Sequence, residues 1–451
     1  MKRTIASTVA VLFLLSVRLP AADGDRFWPQ WRGPLLTGAA LHGDPPVEWS
    51  ETKNVKWKVE IPGKGSATPV VWGDTIYILT AIPTEKKAPG ASEDKAAAAA
   101  PESGGERRQG PPPGIKPEFV QRFTIFAINR KDGKTVWQRT LREELPHDGT
   151  HATNTWASAS ALTDGERIYA FFGSRGLYAL DMKGNVQWEK DLGEMTIKLG
   201  FGEAASPALH GDRLVVNWDH EGESFIVALD KRTGKELWRV PRDEKTSWST
   251  PLVVEVGGRA QVITSATGRM RSYDLATGEL LWHGTGMTAN AIPTPVHSDG
   301  LVFLTSGFRG NALLAVRLAE AKGDITTSPA IVWRYDRDTP YVPSPLLSGD
   351  QLYVLKSNNG ILTAFEAKTG KKLYGEQRLE GVPNVYASPL GVAGRIYVAG
   401  RDGGVAVVKQ GPEFKLLATN QLDDGFDASP VAVDNELYLR GRKFLYRIST
   451  N

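Results

Sequence analysis

The sequence predicts an all-β chain folded as an eight-bladed β-propeller of four-stranded antiparallel blades. Three observations predict it. A hairpin phrase, Val227-Ala-Leu-Asp-Lys-Arg-Thr-Gly-Lys-Glu-Leu-Trp238, alternates apolar and polar residues, turns at Asp230–Gly234 and returns to end on an aromatic. Copies end on Trp137, Trp188 and Trp282, and Tyr374 takes the aromatic place in another. A second phrase lies upstream of the hairpin: a small residue, Pro, a few apolar residues, a Gly/Asp turn, then Ile/Leu-Tyr-Val. From Pro207 it returns at Pro251, Pro295, Pro345, Pro389 and Pro430, in steps of 44, 44, 50, 44 and 41 residues. A period in the forties made of four short strands marks a blade. Finally, the two ends complement each other. Asn54–Ile61 reads as a fourth strand with no third before it, and 429–448 reads as three strands with no fourth after them. Pairing the two closes the ring and removes its open edge.

Openings at Thr68, Ser158, Ser206, Thr250, Thr294, Ser344, Ser388 and Ser429 give the count of eight blades. Before them, Lys2 and Arg3 precede an apolar run to Val17 and a small-residue stretch, so residues 1–22 read as a cleaved signal peptide. Without that segment the chain carries 51 basic and 51 acidic residues, which excludes the basic footprint of a nucleic-acid binder. Cysteine is absent, so neither disulfides nor a lipid-bearing Cys is available. No later window is apolar enough to span a bilayer. A periplasmic or extracellular monomer is expected.

Residues 23–53 form an arm in which Trp28, Trp31 and Arg32 sit among turn residues. It reads as an anchor on the side or end of the propeller, or as a stacking platform for a ligand. The propeller spans 54–451. Residues 83–121, with a run of five Ala at 96–100, clustered charges and a Pro triplet at 111–113, read as a disordered low-complexity insertion between the second and third strands of blade one. Leu318–Ala330 reads as a lengthened hairpin in blade five.

Candidate binding residues come from what does not repeat. His147 and His151 are spaced for a shared metal on a helix, but Gly149 and Thr150 favour a polar loop at the channel mouth. Asn154, Trp156, Glu203, Trp248 and Asn290 precede inner strands and are expected to face the channel. Asp219, His220 and Glu221 have calcium-ligand chemistry and read equally as a solvated loop. No nucleophile, metalloprotease, phosphate-loop or dinucleotide motif appears, so no catalytic residue and no metal ligand is assigned.

The Ala-Leu-Asp-x-x-Thr-Gly-Lys-x-x-Trp phrase at 228–238 and its copies resemble the repeat of the pyrroloquinoline quinone (PQQ)-like propeller superfamily. The arm 28–34, Gly173–Asp181 and Ser247–Pro251 resemble its bacterial PQQ-binding-like repeat branch. The resemblance implies that Trp57, Trp137, Trp188, Trp238, Trp282, Trp333 and Tyr374 wedge between adjacent blades. It implies one of two functions. The first is a non-catalytic BamB-like scaffold that binds envelope proteins, or a small ligand, at a propeller face. The alternative is a quinoprotein dehydrogenase holding PQQ and Ca²⁺ on the channel axis and oxidising an alcohol or sugar. The missing adjacent Cys pair and haem motif favour the first, with no cofactor.

Overall fold

The computed structural model describes residues 24–89 and 112–450. The expected signal segment lies outside them, as does the middle of the low-complexity stretch. Eight sheets stand around one axis. Blade three is representative: Ala208–His210 is innermost, followed outward by Arg213–Trp218, Ser224–Asp230 and Glu236–Arg242. Its two middle strands are buried on both faces because a blade presses on each side, whereas the outer strand alternates between half-buried and exposed. The alternation expected over Val227–Asp230 is therefore corrected: that strand is buried on both faces, and only the Trp-bearing strand alternates.

The eighth blade is built from both ends of the chain. Val55–Glu60 pairs antiparallel with Phe444–Ile448, outside Glu436–Arg440 and Val431–Val433. Ring closure therefore follows the expected pairing.

Adjacent blades dock through the repeated aromatics. The indole N–H of Trp188 donates to the Lys231 carbonyl in the next blade's turn at 3.1 Å, and its ring covers Gly234. Trp57, Trp137, Trp238 and Trp333 do the same to the carbonyls of Arg130, Met182, Leu275 and Ala367. Trp282 departs from this pattern. Its N–H bonds Gln261 in its own blade at 3.0 Å, because blade five has no short turn to offer it. Instead 318–330 folds back: Gly323–Asp324 pairs parallel with Trp282 and His283, and Leu318, Ile325 and Ala330 bury the ring. The lengthened hairpin is thus a cover for blade four. Tyr374 docks edge-on to Phe414 of blade seven with centroids 5.7 Å apart.

Two boundaries move. Thr75–Lys87 and Phe119–Asn129 are strands, so both ends of 83–121 belong to blade one. Blade two opens at Ser160 and not at Ser158, for a reason that the channel makes plain.

Candidate functional site

At the start of each blade a Ser or Thr faces the axis, and in seven of the eight it accepts a backbone N–H from the neighbouring blade. Thr68 N donates to Ser160 Oγ, Ser160 N to Ser206 Oγ, and Ser206 N to Thr250 Oγ1, at 2.9–3.0 Å. Thr294, Ser344 and Ser388 continue the series to Ser429, whose N–H donates back to Thr68 Oγ1 at 3.2 Å. Between Thr250 and Thr294 the ring is broken, and Trp31 Nε1 donates to Thr294 Oγ1 at 3.0 Å instead. Ser160 is the ring member of blade two, whereas Ser158 bonds Asn154 and Thr155 in its own loop.

Two residues earlier, in the segment that leads into each inner strand, lies a second tier: Ser66, Ser158, Ala204, Trp248, Ile292, Val342, Tyr386 and Asp427. It divides the channel. Blades four to seven contribute an apolar and aromatic wall, and blades eight to three a small, polar one. Asp427 is the carboxylate in this tier, and Arg401 and Arg442 hold it at 2.6 and 2.9 Å.

The arm closes one end. Trp28 exchanges backbone bonds with Val71 of blade one, and Pro29 accepts from Thr163 of blade two. Thr37 and Gly38 pair with Leu347 and Gly391 across the axis. Arg32, 2% exposed, donates to the carbonyls of Pro389 at 3.0 Å, Thr37 at 3.2 Å and Pro345 at 2.6 Å. Burial without a carboxylate lowers its guanidinium to about 9. Trp28 is buried as well, so of the three arm candidates Trp31 alone lines the channel, as its floor.

The opposite end is open, a mouth of about 420 Å³. His151, Asn154, Trp248 and Asn290 meet there. His151 stacks edge-on to Phe201 at 4.9 Å, and burial, then the Arg401 charge, lowers its pKa. Asn290 accepts from Lys198 Nζ at 3.1 Å. Phe308 stacks on Tyr341 at 4.8 Å with Arg309 over it, and Arg401 lies 4.2 Å over Tyr386. Leu199, Asn290 and Arg309 on this rim hold left-handed φ of +53 to +55°, strain that the surrounding loops impose. The returning end of the insertion braces the same rim: Ile115 and Thr150 exchange backbone bonds, and Gly114 N donates to the Leu199 carbonyl at 2.7 Å.

A family model described as outer membrane protein assembly factor BamB matches residues 42–217 and 222–443. The chain belongs to this family. The BamB of Yersinia pestis is 23% identical over 344 residues, 71% of this chain and 81% of that one. BamB from Moraxella catarrhalis superposes with a TM-score of 0.58 at 16% identity, covering 87% of this chain and 99% of that one. A europium-containing methanol dehydrogenase reaches a TM-score of 0.61 at 10% identity over 92% of this chain and 89% of its own. These two structural likenesses are of fold alone. Among the described residues no helix is long and apolar enough to cross a membrane.

Other sequence candidates lie elsewhere in this BamB-family ring. Trp156 turns into the wall between blades one and two, where Nε1 donates to the Asp148 carbonyl at 3.2 Å. His147 bonds Arg175, which also reaches Glu144 and Glu194 at 3.1 and 3.0 Å. Because Arg175 donates to Nδ1, His147 Nε2 donates to the Met195 carbonyl. His147 and His151 therefore do not share a metal. Asp219 is no calcium ligand either: its carboxylate is buried in a bidentate pair with Arg242 at 2.7 and 3.0 Å.

Glu203 also turns away from the channel. Part of the residue reaches the surface, but both carboxylate oxygens are walled in and accept from Ser174 N and Oγ. Burial raises its pKa above the ordinary 4.5 despite those bonds and the nearby His147 and Arg175. Its protonated form favours the fold, a contribution complete below pH 4.5 and lost as pH rises through the raised value. Glu203→Gln removes that titration. Wild type is expected to lose thermal stability against the variant as pH climbs from about 4 to 8, and a constant gap would refute the assignment.

Sequence reading missed Lys198, Phe308, Arg309, Tyr341 and Tyr386. A signal existed for Tyr386: it stands two residues before Ser388, as Trp248 does before Thr250. Lys198, the adjacent Phe308 and Arg309, and Tyr341 sit in three separate loops and repeat nowhere.

Proposed function

We propose that this chain is an exported, non-catalytic binding and scaffolding module of the cell envelope that engages its partner through the open end of the channel. The observation that carries this reading is the one-sided mouth. Aromatic faces, the cations Lys198 and Arg309 and the exposed Leu199 and Ile115 surround the open end, while the arm closes the other. Aromatic anchors beside cations are the composition of protein-recognition hot spots. The apolar run after Lys2 and Arg3 supports export. The name of the Yersinia pestis relative supports outer membrane protein assembly as the process served.

The quinone alternative fits poorly. Calcium requires several oxygen ligands, carboxylates foremost. The mouth lining holds no Asp or Glu, Asp427 is taken by two arginines, and Glu203 is committed to Ser174. Among the described residues no three metal-ligating side chains cluster.

The test replaces the gene by a Leu199→Asp, Arg309→Glu variant and by a deletion, then measures folded outer membrane proteins. A severalfold fall in both, with the variant chain at wild-type abundance, is expected. Normal assembly in the variant alone removes the mouth from the mechanism. Normal assembly in the deletion, or PQQ- and Ca²⁺-dependent dye reduction by the purified chain, overturns the reading.

A further inference from the structure

Below the mouth the channel narrows to a chamber of about 130 Å³, room for about four waters or one small organic molecule. The ring hydroxyls that line it share an unusual state. Ser160, Ser206, Thr250, Ser344 and Ser388 each accept a backbone N–H, and among the described residues none of them donates to a protein acceptor. Thr294 is in the same position after accepting from Trp31. A hydroxyl has one proton to give, so several O–H donors remain for whatever occupies the axis.

The charge around this ring is positive. The Arg32 guanidinium rests on the carbonyls of Pro345 and Pro389, one residue from Ser344 and Ser388, with its Nε unpartnered. Arg440, also 2% exposed, donates to the carbonyl of Ala67 beside Thr68 at 3.0 Å. Neither has a carboxylate. Asp427, the acid in the chamber wall, is outnumbered by Arg401 and Arg442. Above the ring, Trp248, Ile292, Val342 and Tyr386 supply one apolar wall.

We propose that this chamber is a binding site for a small carboxylate with an apolar body, its oxygens on the ring hydroxyls and its body against Trp248 and Tyr386. Donors aimed at an acceptor, unneutralised buried guanidinium groups and an apolar wall on one side together select this chemistry over a neutral or cationic ligand. Entry is from the mouth, since the arm seals the far end. The site does not depend on the envelope partner proposed above.

Benzoate serves as the probe, measured by calorimetry on the whole chain at constant ionic strength. Saturable binding is expected, at least tenfold tighter than for the isosteric neutral benzamide and for inorganic phosphate. Equal binding of benzamide overturns the carboxylate assignment, and equal binding of phosphate overturns the apolar wall. No saturation at about 10 mM benzoate, near the limit of specific recognition, overturns the site. Ser388→Ala, which also strips an acceptor from Ser344 N, is expected to weaken benzoate severalfold. Should that variant not fold, crystals of wild type soaked in 3-bromobenzoate decide: a bromine signal between Trp248 and Tyr386 supports the proposal, and one elsewhere alone refutes it.

Discussion

Asp219→Ala is expected to destabilise the chain by about 3–5 kcal/mol, the cost of leaving a fully buried partner charge unpaired. Both side chains of the Asp219–Arg242 pair are 0% exposed, and Asp219 also accepts from Ser247 and Asn217. Arg242 reaches on to Thr264 and Tyr273, so it joins blade three to blade four. Its methylene stem would remain buried in Arg242→Met. The double variant Asp219→Ala, Arg242→Met is therefore expected to recover much of the loss, because no charge is left stranded. Urea unfolding checks both. A double variant as unstable as the single one would show that packing, and not the lone guanidinium, carries the cost.

Gly234→Ala carries the second large effect. Its φ is +70°, and a Cβ there would stand 2.8 Å from Trp188 Cε3. Left-handed backbone costs an alanine about 1–2 kcal/mol, and crowding a packed ring costs about 1–3 kcal/mol more. Gly257 is the control: its φ is +58°, yet nothing lies within 4 Å of the same added carbon. Gly257→Ala should show the backbone cost alone. Equal losses at the two positions in thermal unfolding would sink the claim that the turn glycine is the seat of the neighbouring Trp.

Much of this architecture is legible in the sequence because propeller blades solve one packing problem eight times. Trp188 and Gly234 recur with their spacing, so the docking contact is written repeatedly, and the Ser-Pro phrase marks each inner strand. The channel follows from that phrase by period two: the residues before it that face the axis are those two positions back, among them Trp248 and Tyr386. Ser158 reads as the opening of blade two in place of Ser160 because both are serines two apart, and only the neighbour's N–H distinguishes them. The arm was harder. Arg32 recognises carbonyl oxygens, and every residue type has one, so its targets at Pro345 and Pro389 leave no mark on the side chains. The mouth was hardest, since Lys198, Arg309 and Tyr341 each occur once and meet only after the ring closes. Trp282 shows the converse: it matches the repeat fully, yet 318–330 gives it a different neighbour.

The blade shared by Val55–Glu60 and Phe444–Ile448 also sets a timetable. A chain delivered from its N-terminus presents the closing strand long before its mate arrives, with nearly four hundred residues between them. Contacts so distant in sequence form late, because the loop entropy must be met first. Throughout that interval the unpaired edge is a docking rail for any extended peptide, including the same strand from a second copy. Loss of the last few residues would leave Val55–Glu60 without its mate, an edge that the same strand of a second copy could pair with.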